Sequence, residues 1–240
     1  MKPLNGYLYI AYGDDHIKEA RISVDTLRAV DSTAHVTLVA DRLVDGFDKV
    51  VVKPNFKNGF EGKAQHLSNK YYINTFFLDA DTHICEDPSA LFDLLSYFDL
   101  CAVLDPAEMD VYMSGLTPYN SGVMLFGPKT EELFTMLRWY YQNEEILQAT
   151  IKAHPAGIRR MKPDQPPLML AIRDTRVRVH SLPSIWNARY RFNISLMGKV
   201  KIIHGPATDF KTLEVAMNKG PVNRCWEAKK WNRKYGTVTS

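Results

Sequence analysis

Seven residues, Phe76-Phe77-Leu78-Asp79-Ala80-Asp81-Thr82, constrain this chain more than any other segment: an apolar run stops abruptly at two acids spaced one residue apart. Ligands of open α/β sheets bind outside the carboxyl ends of the strands, and these acids stand where a buried strand would emerge. In an extended segment, side chains at i and i+2 point the same way, with Cα atoms roughly 6.6 Å apart at about 3.3 Å per residue. Both carboxylates can then converge on one hard divalent cation. Mn²⁺ and Mg²⁺ prefer oxygen ligands and complete their shells with substrate phosphates rather than a full protein cage. A diphosphate-bearing substrate is therefore the natural partner. The competing reading is a solvated turn with Asp81 in a helix-entry role.

The rest of the pattern predicts the sheet that such a strand needs. Tyr7-Leu8-Tyr9-Ile10-Ala11 reads as a buried first strand, and Gly13-Asp14-Asp15 supplies turn and capping chemistry before a helix with Ile17, Ala20, Val24 and Leu27 at helical spacing. Val36 to Val39 and Val50 to Val52 give short apolar strands, the former ending in Ala40-Asp41, and Phe56 to Tyr72 carries a helical segment. Asp87-Pro88 marks a helix start, with the acid at the N-cap and proline in the first turn. Leu100 to Leu104 and Asn120 to Phe126 are further strands, the second followed by a long helix from Lys129 to about Ile151. Alternating strands and helices predict an α/β fold with a mixed, mainly parallel central sheet flanked by helices. Past His154-Pro155, prolines and glycine break the chain into short elements.

Composition narrows the class. A chain of 240 residues, 45% hydrophobic and 24% charged, has material for one large domain with a substantial core. The formal charge of +3 is too small to indicate nucleic-acid binding. Cys85, Cys101 and Cys225 have no metal-ligand spacing, and their odd number argues against a disulfide framework, which fits a reducing compartment. Apolar runs fall short of the roughly 18 residues of a membrane span, so a cytosolic protein is expected. The basic, tryptophan-bearing stretch from Lys219 to Lys234 is read as a solvated terminal helix packing Trp226 and Trp231 on the domain, with peripheral contact to anionic lipid as the alternative.

Several segments taken in order resemble a known family: Ala11-Tyr12-Gly13, Lys63, Phe77-Leu78-Asp79-Ala80-Asp81-Thr82, Asn120-Ser121-Gly122-Val123, Asp164-Gln165, Trp186-Asn187 and His204-Gly205. The chain is similar over about residues 5 to 210 to the nucleotide-diphospho-sugar transferases of the GT-A fold, near the family-eight glycosyltransferases that include glycogenin and bacterial galactosyltransferases. The resemblance implies that Asp79, Asp81 and His204 bind Mn²⁺ or Mg²⁺ with the donor diphosphate. It implies that Ala11, Tyr12 and Gly13 grip the nucleoside, and that Lys63 contacts donor phosphate or sugar. Ala80, Asn120, Ser121, Gly122, Asn187 and Gly205 complete the donor site, with Asp164 and Gln165 as the acid-amide pair at the anomeric centre. Asp41 is a weaker candidate for a base or ribose contact.

The implied partners are a nucleotide-sugar donor, with UDP the family's commonest nucleotide, and a glycan, lipid-linked sugar or protein acceptor. Residues 1 to about 110 would form a nucleotide-binding half, about 111 to 210 a donor-sugar and acceptor half, and about 211 to 240 a basic aromatic tail. The chain departs from the family's late His-x-x-Gly-x-x-Lys loop, having His204-Gly205-Pro206-Ala207-Thr208-Asp209-Phe210-Lys211, so phosphate contact by Lys211 is not carried over.

A retaining enzyme would use Asp164 or Gln165 to steady the oxocarbenium-like centre, whereas an inverting one needs a general base, for which Asp105, Glu108 and Asp110 are candidates. Two rivals stand beside a transferase. An apolar strand with Asp-x-Asp-x-Thr also opens the site of haloacid-dehalogenase-type phosphatases, where Asp79 would be the nucleophile. A non-catalytic carbohydrate-binding protein is the other.

Overall fold

The computed structural model describes residues 4–54, 60–105, 116–153 and 165–228. Its centre is a seven-stranded sheet built from β1 (Asn5–Ile10), β2 (Val36–Ala40), β3 (Lys49–Val52), β4 (Asn74–Leu78), β6 (Leu100–Leu104), β7 (Tyr119–Phe126) and β8 (Val179–Leu182), in the order β3-β2-β1-β4-β7-β6-β8. Neighbouring strands run parallel except where β7 lies between β4 and β6. The expected mixed, mainly parallel sheet is what forms.

Side-chain alternation along these strands builds two cores, one on each face. Leu8, Phe77, Leu100, Ala102, Met124 and Phe126 pack with residues of α3 (Glu131–Gln142) and α5 (Gln165–Asp174), among them Leu133, Leu137, Leu168 and Leu170. Their sequence neighbours Tyr7, Tyr9, Phe76, Leu78, Cys101, Val123 and Leu125 pack on the other face against Ile17, Ala20, Val24 and Leu27 of α1 (Gly13–Val30). A third core joins β9 (Ala188–Arg189), β10 (Ile194–Met197) and β11 (Ile202–His204) to α6 (Phe210–Met217) through Leu196, Ile203, Leu213 and Met217.

Local details depart from the sequence expectations. Asp14 and Asp15 lie in the first turn of α1, where they favour the positive helix end, while the cap position is Tyr12 without a side-chain bond. The helical segment expected within Phe56 to Tyr72 is α2 (Phe60–Leu67). Asp87 does accept from the Ser89 amide at 2.8 Å, yet the element it starts, Ser89–Ser96, is a 3₁₀ helix. The long helix breaks at Asn143 into α3 and α4 (Glu144–Ala153). Most consequentially, the acids do not continue β4: they occupy the turn between it and a short strand, β5 (Thr82–Ile84), that pairs antiparallel with β11.

The segment after α6 also differs from the expected terminal helix. Asn223–Trp226 form β12, antiparallel to β10, and the Trp226 indole donates to the Tyr190 carbonyl at 2.6 Å. Trp231 and Lys229 to Lys234, on which the lipid-contact reading of the tail rests, lie outside the described residues. Among the described residues, no helix is long and apolar enough to cross a membrane, and the three cysteines are free thiols.

Candidate functional site

One edge of the sheet collects the predicted residues. The carboxyl ends of β1, β2, β4 and β6 lead into Ala11-Tyr12-Gly13, Asp41, Asp79 and Asp105, and antiparallel β7 brings its first residues, Asn120 to Gly122, to the same edge. The β6–β7 register is irregular there: Ala102 faces Met124 whereas Val103 faces Asn120. Ser121, Gly122 and Val123 are thereby released from pairing with β6, a device that re-aims side chains next to a site. The turn after β4 locks onto this segment, with the Asp79 amide donating to the Gly122 carbonyl at 2.8 Å.

The turn is held from beneath as well. Thr82 donates to the Asp79 carbonyl at 2.8 Å, and its hydroxyl meets Ser23, which in turn meets the buried Tyr9 hydroxyl. Gly205, at φ +119°, donates its amide to the Asp81 carbonyl at 3.0 Å. Its left-handed backbone explains why the residue after His204 is glycine.

These constraints bring Asp79, Asp81 and His204 together, with one ligand atom from each lying within 4.8 Å of the others. His204 Nε2 is 3.6 Å from Asp79 Oδ2 and 3.3 Å from Asp81 Oδ1. Lys63 on α2 joins the cluster: its ammonium is 2.8 Å from Asp79 Oδ1, 3.1 Å from Ser121 Oγ and over the Phe77 ring at 4.6 Å. Gly122 makes the approach possible, because a Cβ there would lie 2.1 Å from His204 Cε1 and 2.7 Å from Asp79 Oδ2.

An amide relay sets the face that His204 presents. The Gly122 amide donates to Asn120 Oδ1 at 3.0 Å, and Asn187 Nδ2 donates to that same oxygen at 2.8 Å. Asn187 Oδ1 is thereby turned to accept from His204 Nδ1, 2.8 Å away. A histidine donating through Nδ1 directs its Nε2 lone pair, when neutral, at the two carboxylates, an arrangement that only a cation satisfies. In the metal-free protein a proton can fill that role. Burial works against ionisation of Asp81, but its hydrogen bond to His204 and the imidazolium charge hold its carboxyl down to about 2. The donor set, two carboxylates and one imidazole, fits Mn²⁺ well and Mg²⁺ less so.

Beside the acid turn lies a second carboxylate in a different setting. Asp105 is fully buried and accepts from Asn120 Nδ2 at 3.3 Å, from the Gln165 amide and from the Arg189 guanidinium. Arg189 stands over the Phe192 ring at 4.3 Å and pairs with His204 across β9 and β11. Among the described residues, Gln165 Oε1 is buried and meets no hydrogen-bond partner. Arg189, the last residue of β9, escaped the sequence reading.

The remaining candidates scatter. Tyr12 is packed into the core with its hydroxyl 3.4 Å from His66 Nε2, so its ring is not an open stacking platform. Asp41 accepts from the Gly13 amide at 3.2 Å, closing the loops after β1 and β2 onto each other. Lys211 is exposed on α6, after Asp209 caps that helix through the Thr212 amide at 2.9 Å. Asp164, Glu108 and Asp110 lie outside the described residues.

Comparison with solved structures places the fold. At a TM-score of 0.54 and 14% identity the chain resembles mouse xyloside xylosyltransferase 1, with 84% of this chain and 98% of that one covered. The galactosyltransferase LgtC, solved with donor and acceptor sugar analogues, superposes at 0.54 with 15% identity over 96% of this chain and all of LgtC. The bifunctional glycosyltransferase WbbM gives 0.59 at 14% identity, covering 97% of this chain and 52% of WbbM. No protein-family model matches the sequence, and comparison with curated proteins returns no match. The chain has the GT-A fold.

Proposed function

We propose that this protein is a metal-dependent glycosyltransferase that moves a sugar from a nucleotide-diphosphate donor, with UDP favoured, to an acceptor hydroxyl with retention of configuration. The observation that carries the reading is the convergence of Asp79, Asp81 and His204 at the carboxyl edge of a GT-A sheet, beside a buried amide cluster. LgtC, which shares the fold, was solved with donor and acceptor sugar analogues, and that supports the same pair of partners here. The acceptor class, whether glycan, lipid-linked sugar or protein, is left to assay.

In this reading Asp79, Asp81 and His204 hold a divalent cation, whose contribution when bound is Lewis-acid neutralisation of the departing diphosphate. The chain's own groups do the rest. Lys63 adds a fixed positive charge beside Asp79, positioned by Ser121 and the Phe77 ring. Asn120 and Asn187 keep His204 Nε2 facing the acids. Gln165 Oε1 offers a buried acceptor for a sugar hydroxyl or for the developing positive charge at the anomeric carbon.

Asp105 bears on stereochemistry. Its carboxylate is neutralised by Arg189 and further engaged by Gln165 and Asn120, so it is poorly suited to take a proton from an acceptor as a general base. That sets aside one of the three candidate bases for inversion; the retaining reading puts Gln165 and Asp164 at the reacting centre. The phosphatase reading fares worse, because the late strand β11 ends in His204-Gly205 rather than in the acid pair that would hold its Mg²⁺. Within the proposal residues 1 to about 110 take the nucleotide and about 111 to 210 the sugar and acceptor, whereas the stretch read as a tail packs on the domain through α6 and β12.

The test is a thermal-shift panel of UDP, GDP and their sugar conjugates, with and without Mn²⁺, on wild type and Asp81→Ala. A ligand at about one hundred times its Kd stabilises by about 2.7 kcal/mol. The expected result is a shift that needs nucleotide and metal together and disappears in Asp81→Ala, followed by acceptor-dependent release of the nucleoside diphosphate. No shift with any nucleotide, or an undiminished shift in Asp81→Ala, overturns the reading.

A further inference from the structure

Behind the acid turn, on the opposite side of the same two strands, lies a second cluster of metal-ligating side chains that the transferase reading does not use. In the β5–β11 ladder Thr82 pairs with His204 and His83 with Ile203. Successive residues of a strand face opposite sides, so His83 looks away from the acids and toward α6. Cys85 is two residues further along and returns to the same face, its amide continuing the ladder to the Lys201 carbonyl at 2.8 Å. From α6, Phe210 and Glu214 are four residues apart and present one helical face to this strand. The Phe210 ring stacks on His83 at 4.9 Å with an interplanar angle of 3°, and Glu214 Oε2 approaches His83 Nε2 to 3.6 Å.

One ligand atom from each of His83, Cys85 and Glu214 lies within 4.8 Å of the others. From this we infer a second metal site, specific for a zinc-class ion, which clamps α6 to β5.

Three features carry the inference beyond proximity. The first is the separation. A tetrahedral zinc about 2.0–2.2 Å from nitrogen and oxygen ligands sets those atoms about 3.3 Å apart, close to the observed 3.6 Å between His83 and Glu214. That distance is too long for a hydrogen bond. The second is orientation: the Phe210 ring, stacked on the His83 ring with an interplanar angle of 3°, holds the imidazole with Nε2 turned toward Glu214.

The third is donor chemistry. A sulfur, an imidazole nitrogen and one carboxylate form a set that suits zinc, whereas the all-hard ligation preferred by Mg²⁺ excludes sulfur. Three protein ligands leave a fourth position for water. The front and back of the ladder would thus hold different ions. The role assigned to the rear ion is structural, since it ties the last helix to the strand that follows Asp81. This inference does not depend on the transferase assignment.

Cobalt substitution tests it on the full chain. After removal of metals with a chelator, Co²⁺ added stoichiometrically to wild type is expected to give the near-ultraviolet thiolate-to-cobalt charge-transfer band, which Zn²⁺ then abolishes by displacement. Asp81→Asn, altered only at the front cluster, is expected to keep the band. Cys85→Ser is expected to lose it while still melting cooperatively, and Glu214→Gln to weaken Zn²⁺ by about tenfold or more, the loss produced even by outer partners of metal ligands. Absence of the band in wild type overturns the proposal. So does its survival in Cys85→Ser, which would assign the thiolate to Cys101 or Cys225. Should Cys85→Ser fail to fold, Glu214→Gln decides the matter, because unchanged zinc affinity in that variant contradicts the site.

Discussion

The acid turn and the Asp105 pocket are neighbours that treat carboxylates in opposite ways. Asp105 is dry and closed: its side chain is 1% exposed, a guanidinium neutralises it, and two amides donate to the same oxygen, Oδ2. Asp79 and Asp81 remain 30% and 26% exposed, and one imidazole is shared between them. Both arrangements are joined through Asn120, which donates to Asp105 and accepts from Asn187. The difference teaches that burial of a carboxylate in a cleft does not by itself make a reactive group. What matters is how it is enclosed. The buried one, held by an arginine and two amides, serves as a rigid base plate, and the more exposed pair is left facing a cation and a ligand.

The largest expected effect separates the two regions by stability. Arg189→Met leaves Asp105 charged and uncompensated in the interior, a change that costs about 3–5 kcal/mol when a buried pair loses one partner. Urea unfolding of Arg189→Met against wild type measures it. The double change Asp105→Leu with Arg189→Met removes both charges and is expected to regain much of the loss. A single-variant cost below about 1 kcal/mol would break the comparison, since it would mean that Asp105 is not held as a desolvated anion.

The next effect sharpens the link between the regions. Asn187→Leu deletes the group that accepts from His204 Nδ1 and donates to Asn120. Loss of an outer partner of this kind lowers metal affinity about 10- to 100-fold. Calorimetric titration of Mn²⁺ in the presence of UDP is the measurement. Unchanged affinity would show that the relay does not govern the face His204 presents.

Legibility in the sequence followed the range of the forces involved. The strands of the central sheet could be read because a buried parallel strand is a continuous apolar run, as in Val36 to Val39 and Phe76 to Leu78. The acid turn could be read for the same reason, since its signal is seven consecutive residues. Asn120, Asn187, Gln165 and His204 were found through resemblance, and the structure brings the four into one network with Asp105. Arg189 was not found, because its partner is 84 positions away and no local pattern announces such a pair.

Short elements failed for a related reason. β5, β9 and β12 are two to four residues long, and their existence depends on partners such as β11 and β10 rather than on their own composition. The break at Asn143 was missed because the apolar spacing on either side of it is helical. The His83, Cys85 and Glu214 cluster is hidden in the same way, by the 129 positions between Cys85 and Glu214 in the numbering.

The smallest expected effect concerns pH, and it separates the open pair from the closed carboxylate without any ligand. In metal-free protein the folded Asp81 carboxyl lies near 2, below its ordinary value of 3.8, despite burial, because His204 donates to it. The unfolded chain therefore binds more protons than the folded one between those values, so stability rises with pH across that window. The contribution of Asp81 is present above about pH 4 and is lost as the pH falls through about 2. Its size is about 1–2 kcal/mol, after allowance for the solvent that reaches the turn. Denaturation of wild type and Asp81→Asn in the presence of a chelator should therefore show a stability gap that narrows from pH 4 to pH 2. A gap that stays constant over that range would mean that His204 and Asp81 do not interact as a charged pair when no metal is bound, and the open site would then need a cation from solution even to assemble.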